Sequence, residues 1–299
     1  MSKENLCTCS RREFIKFVVV GALGSFFRCS FPIGKVEGKD LENRVGSQEK
    51  IERLAKTKVV WENERRGVSR IISGHPDFSQ RPLEVAILTD SFGLIPNGKG
   101  VKPGLAVNFV EGLANRLKRV TEAYSFTRPG AVLQGKITKE AINKVANSGA
   151  EVVLFCFGSN DAKYKYTAEN FPDNLRGSLR TLFSNKENRT LILLIPPRGI
   201  SSKIGYDPEK YDELIRNPIE EVFKEFKDQG KSIVLVEPPV CPPTYYKDYL
   251  HLTGEGIEQW TNNIFRTLSD NCLIICAYKN KTRFVFRPIN LGRSMILER

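Results

Sequence analysis

Residues 84–93 read "EVAILTDSFG", and how this stretch is read decides the fold. Its apolar run, 85–88, has the composition of a strand buried on both faces. The run stops on an acid and a hydroxyl, Asp90 and Ser91, with Gly93 close behind. An Asp-Ser pair ends many strands in a simple turn. At the carboxyl end of a strand in a parallel sheet, the same pair presents a serine where such sheets bind ligands. A lone serine is a weak nucleophile at neutral pH, so this second reading needs a base from elsewhere in the chain.

Outward from this stretch, apolar runs recur at 152–157, 191–195 and 233–236, with a weaker one at 123–126. Helix-like segments separate them at 105–119, 138–148, 174–183 and 211–229. Alternation of this kind predicts an α/β fold with a parallel sheet covered on both faces. Five strands joined by right-handed crossovers predict a doubly wound sheet of order 2-1-3-4-5.

Each predicted strand end carries polar residues. The first is followed by Thr89-Asp90-Ser91, the second by "TRPGAVLQG" with Gly130, the third by Gly158-Ser159-Asn160-Asp161. Past a proline-rich loop, the fifth is followed by "DYLHLTGEG", which starts at Asp248. Asp248 and His251 are three apart, so one tight turn or helix start aims both side chains the same way. The carboxylate can then hold His251 Nδ1–H, which leaves Nε2 to take the proton of Ser91 Oγ. Backbone N–H groups of Ser91 and Gly130 and the side-chain amide of Asn160 are candidate donors to a developing oxyanion. The second histidine, His75, reads as a loop residue before Pro76.

These residues resemble the conserved blocks of the SGNH hydrolase superfamily, the GDSL-like esterases and lipases. The nucleophile block, Gly-Asp-Ser in the family, reads Thr89-Asp90-Ser91; Gly130 matches the glycine block. Gly158-Ser159-Asn160-Asp161 matches Gly-x-Asn-Asp in full, and Asp248 with His251 matches Asp-x-x-His. The resemblance covers about 83–268. It implies a flavodoxin-like three-layer α/β/α sandwich, a Ser91–His251–Asp248 triad, and no metal or cofactor. Thr89 departs from the family glycine and is expected to narrow the room beside Ser91. The function so implied is a serine esterase, acting through an acyl-enzyme on an acyl ester, an acetyl ester included, of a carbohydrate, lipid or cell-envelope polymer. Acyl transfer on the same triad, and a non-catalytic envelope-binding protein, are the alternatives.

The full chain has 299 residues, 40% of them apolar and 27% charged, with a net charge of +12. The basic residues are spread along the chain without an arginine-rich arm or a nucleic-acid motif, which speaks against nucleic acid as a partner. With two histidines, neither near the Cys7–Cys9 pair, a zinc site is not expected there. Cys272 and Cys276 could be bridged or free.

Residues 1–31 read as an address. Ser10-Arg11-Arg12-Glu13-Phe14-Ile15-Lys16 resembles the bacterial twin-arginine signal, and the apolar run after it is too short to span a bilayer, which takes ~20 residues. This implies an exported, periplasmic or extracellular protein and leaves open a membrane association through an uncleaved N-terminus. Residues 32–82 read as a polar extension with one helix around Ile51, Leu54 and Ala55. Residues 83–270 form the expected hydrolase domain, and 271–299 an extension with a hairpin over 273–287.

Overall fold

A computed structural model describes residues 56–75, 78, 80–93, 104–186 and 189–271. The expectations for the signal segment, the Cys7–Cys9 and Cys272–Cys276 pairs and the C-terminal hairpin fall outside those residues.

The elements run β1 (Lys56–Asn63), β2 (Val68–Gly74), β3 (Leu83–Thr89), α1 (Leu105–Leu117), β4 (Thr121–Thr127), α2 (Lys136–Ala146) and β5 (Val152–Cys156). They continue with α3 (Lys165–Glu169), α4 (Phe171–Ser184), β6 (Thr190–Leu194), α5 (Asn217–Asp228), β7 (Ile233–Val236), β8 (Tyr246–Asp248), β9 (His251–Leu252) and α6 (Gly254–Asp270). The main sheet has the order β1-β2-β4-β3-β5-β6-β7. Its five parallel strands, β4-β3-β5-β6-β7, are the predicted doubly wound set in the predicted order.

The central strands are apolar throughout because both faces are covered: every residue of β5 and β6 is buried. Helix α1 packs with α6, while α2 packs with α4 and α4 with α5, so the sheet lies between two helical layers. Trp260 of α6 and Phe109 of α1 are fully buried on one side, Phe171 of α4 and Phe226 of α5 on the other.

The sheet differs from expectation at one edge. Residues 56–74, within the expected polar extension, form an antiparallel hairpin, β1–β2, joined to β4; the helix expected around Ile51, Leu54 and Ala55 falls outside the described residues. The cause is a period-two pattern. Thr57, Val59 and Trp61 turn inward while Lys58, Val60 and Glu62 face water, and Ser69, Ile71 and Ser73 are buried on β2. Asn63 Oδ1 accepts from Arg66 N–H to close the connecting turn. The predicted helix over 211–229 also opens differently, with a π-turn over Asp212–Arg216 before α5. Pro218 supplies no N–H at the junction, so the regular i→i−4 ladder cannot run through it.

The two ends of the sheet are built differently. At the amino ends, Arg189 is 1% exposed and donates to the carbonyls of Ala150, Leu182, Val145, Ala146 and Ser148. One guanidinium thus satisfies carbonyls at the ends of α2 and α4 that have no partner within the helices. The carboxyl ends carry the polar residues singled out in the sequence.

Candidate active site

Strand β3 delivers Ser91 at the carboxyl end of the sheet. Its last residue, Thr89, pairs with Thr127 of β4 and Cys156 of β5, so it sits at the centre of the parallel set. Asp90 N–H donates to Cys156 O at 3.2 Å, and Ser91 opens a single 3-10 turn, Ser91–Gly93. Asp90 Oδ1 accepts from Phe92 N–H at 3.2 Å and so closes that turn from within. The turn is fixed by its own acid, not free to swing.

Thr89 turns its hydroxyl toward Asp90 O and β4. Its side chain is fully buried, and its hydroxyl donates to Asp90 O and Thr127 Oγ1 beneath the turn. The space it fills is beside Gly93, where a Cβ would stand 2.1 Å from Thr89 Oγ1. Threonine at 89 is thus matched by glycine at 93.

Asp248 and His251 face each other across a two-residue turn, the last residue of β8 paired with the first of β9. The tight turn is the one the Asp-x-x-His spacing allows. Asp248 Oδ1 accepts from His251 N–H at 2.9 Å, which ties the carboxylate to the histidine's backbone as well as to its ring. His251 Nδ1 lies 2.8 Å from Asp248 Oδ1 and 2.9 Å from Oδ2. His251 Nε2 lies 2.7 Å from Ser91 Oγ. With a carboxylate accepting at Nδ1, that nitrogen carries the proton and Nε2 presents its lone pair to the serine hydroxyl. Partial burial acts to raise the Asp248 carboxyl, but the His251 N–H and imidazole outweigh it and hold the acid below its ordinary value. The Phe92 ring sits 5.7 Å from that of His251 and 5.7 Å edge-on from Trp260, so the imidazole rests on an aromatic wall tied into α6.

Asn160 follows β5 and is buried, with Nδ2 3.4 Å from Asp90 Oδ2. Asp161 is buried as well; its Oδ1 accepts from Leu133 N–H at 3.0 Å, which ties the loop after β4 to the loop after β5. Burial is the largest influence on both Asp90 and Asp161, and it raises each carboxyl to about 7. Gly130 lies on that first loop, with φ +72 and open space where a side chain would stand. Its turn closes through Ala131 N–H to Arg128 O, while Arg128 N–H donates to Thr89 O. The structure therefore joins Ser91, His251 and Asp248 directly, links Asn160 to the nucleophile turn through Asp90, and sets Gly130 on the same rim without such a link. His75 follows β2 at the opposite end of the sheet, its ring against Phe78.

Asp90 and Lys163 belong to this assembly although the sequence assigns them no role. Asp90 stands inside the nucleophile block, but its burial beneath the turn has no linear signature. Among the described residues, no three His, Cys, Asp or Glu side chains are grouped so as to hold a metal ion, and no helix is long and apolar enough to cross a membrane. Chemically, the arrangement offers a hydroxyl with an adjacent oriented base and a buried amide beside it, which are the parts needed for acyl transfer to serine.

No family model matches the chain, and no curated protein matches it by sequence. Solved structures do. A family 3 carbohydrate esterase of Clostridium thermocellum superposes with a TM-score of 0.50 at 15% identity, over 64% of this chain and 96% of that one. A lipase/acylhydrolase of Enterococcus faecalis superposes with a TM-score of 0.50 at 22% identity, over 62% of this chain and 95% of that one. At these identities the likeness is one of architecture. The chain shares the α/β fold of these two structures, with a mostly parallel sheet between helical layers.

Proposed function

We propose that the protein is a serine esterase that works through an acyl-enzyme. The observation that carries this reading is the unbroken row Ser91 Oγ–His251 Nε2, 2.7 Å, and His251 Nδ1–Asp248 Oδ1, 2.8 Å. Ser91 Oγ attacks the ester carbonyl as its proton passes to His251 Nε2, and Asp248 stabilises the imidazolium. Negative charge on the former carbonyl oxygen is taken by the amide of Asn160 and by backbone N–H groups of Ser91 and Gly130. The imidazolium returns the proton to the departing alkoxide, which leaves as alcohol. A water then gives its proton to His251 and attacks the acyl carbon, and the acid departs as Ser91 regains its hydrogen. Side-chain exposures of 33% for His251 and 55% for Asp248 open the base to water, which favours hydrolysis over transfer.

The rim favours a carbohydrate ester. Tyr164 and Tyr166 stand exposed just beyond Asn160, and exposed Tyr249 lies between Asp248 and His251. Phenol rings present a flat apolar face for the C–H side of a sugar and a hydroxyl at the edge, unlike the aliphatic walls a long acyl chain prefers. We propose an acetyl or other short acyl group on a carbohydrate or envelope glycan as substrate.

Chromogenic esters from acetate to long acyl chains, together with an O-acetylated oligosaccharide, test the reading. Wild type is expected to release acid from the short esters and the saccharide, and Ser91→Ala from neither. Equal release by both proteins, or transfer to an added acceptor alcohol exceeding free acid, would contradict it. Export by the twin-arginine route is likewise a proposal, resting on Ser10 to Lys16. Fused to a reporter that reaches the periplasm only when folded, residues 1–31 should carry it across, and Arg11→Lys with Arg12→Lys should stop it.

A further inference from the structure

We infer that Lys163 is a positioning residue that clamps the Asn160 amide in its oxyanion-donating orientation. The inference rests on the esterase reading only in giving that amide its catalytic role. Lys163 Nζ donates to Asn160 Oδ1 at 2.8 Å, and Asn160 Nδ2 faces Asp90 Oδ2 at 3.4 Å. The amide is held between a cation on its oxygen and a carboxyl oxygen on its nitrogen. A flipped amide would set NH₂ against ammonium and oxygen against oxygen, so the two contacts admit one orientation. Nδ2 carries two hydrogens. Asp90 takes one, and the other remains for the substrate oxygen.

The ammonium also acts through the bond. A positive charge on the amide oxygen draws electron density from Nδ2–H and makes it a stronger donor. That gain is largest when the acceptor carries the negative charge of the tetrahedral intermediate, so it lowers the barrier more than it tightens substrate binding.

The lysine is itself held. Its stem lies against Gly205, where a Cβ would stand 3.1 Å from Lys163 Cγ. Gly205 has φ +100, a conformation that L side chains rarely adopt, so the loop keeps that space clear. Lys163 is half-buried, and among the described residues its ammonium bonds the neutral amide of Asn160 while its charge also reaches Asp90, unlike Lys165, which pairs with Glu169 at 3.8 Å.

The test is a kinetic double-mutant cycle on the full chain, joined to a signal that needs no turnover. Lys163→Met should lower kcat on a short chromogenic ester about tenfold with KM nearly unchanged, and Lys163→Arg should restore most of the loss. In an Asn160→Ala background, Lys163→Met should cost little more, because the lysine acts through the amide. With asparagine side chains labelled with ¹⁵N, the Asn160 NH₂ pair, identified by its loss in Asn160→Ala, should shift in Lys163→Met. Lys163→Gln replaces the methionine variant in both readouts if the latter does not fold. Equal kinetic losses in both backgrounds, or an unmoved Asn160 pair, would overturn the clamp. A shifted pair in a wild type inactive on every ester would keep the clamp and remove the esterase reading.

Discussion

The two ends of the sheet bury charge in opposite ways. At the amino ends Arg189 is enclosed, and the backbone of three segments answers it: the end of α2 and the loop after it, α4, and the residues before β5. At the carboxyl ends Asp90 and Asp161 are enclosed, but Asp161 Oδ2 and the neighbouring Ser159 Oγ have no hydrogen-bond partner among the described residues. A buried polar group with all its partners holds a fold together; one lacking a partner is a cost that needs a reason. Here the cost falls beside the serine, imidazole and amide of the candidate site. A fully answered buried charge stands at one end of the strands and the candidate site at the other.

Substitutions at each end should separate the two, and the largest effect belongs to the carboxyl end. His251→Ala should cut turnover by about 10⁴-fold or more while the unfolding midpoint stays close to wild type. A comparable loss of stability would mean that the imidazole serves the fold. Asn160→Ala comes next, with a fall of roughly 10²–10³-fold in kcat measured by steady-state hydrolysis.

Arg189→Met should do the reverse. It removes one donor from each of five carbonyls, of which Val145 O keeps Ser148, and should lower stability by about 3 kcal/mol in urea titration, with kcat of the folded fraction unchanged. A large change in kcat would erase the division between the ends.

The last effect is a slope. Burial raises the Asp90 and Asp161 carboxyls to about 7 from 3.8, so between those values the folded chain binds more protons than the unfolded one. Stability from these groups is therefore present in full below about pH 4 and falls as pH rises toward 7. Asp248 runs the other way: its lowered carboxyl contributes above its unfolded value and is lost as acid protonates it. Asp90→Asn keeps an oxygen for Phe92 N–H and should flatten the decline between pH 4 and 7, read from urea midpoints across that range. An unchanged slope would show that Asp90 is not the source.

The sequence made the carboxyl end far more legible than the amino end. Strands β3, β5 and β6 announce themselves as unbroken apolar runs because both faces are buried, and Ser91, Asn160, Asp248 and His251 follow strand ends at positions the topology brings together. Strand β4 is harder to see, since Glu122 and Tyr124 are only partly buried and interrupt its pattern. The β1–β2 hairpin was hidden because Ile51, Leu54 and Ala55 suggest a helix just before the alternation of Thr57, Val59 and Trp61 begins. Arg189 gave no signal at all. Its partners are main-chain carbonyls, which any sequence supplies, and only folding gathers them. The link from Asn160 to Asp90 spans 70 residues and is equally invisible in the linear order.

The direct measurement is covalent labelling of the intact protein with a fluorophosphonate, followed by mass spectrometry of its peptides. The account predicts one phosphonyl group on Ser91 in wild type and a rate of labelling that collapses in His251→Ala. An unlabelled Ser91 in folded wild type, or labelling at the same rate without the imidazole, would contradict it.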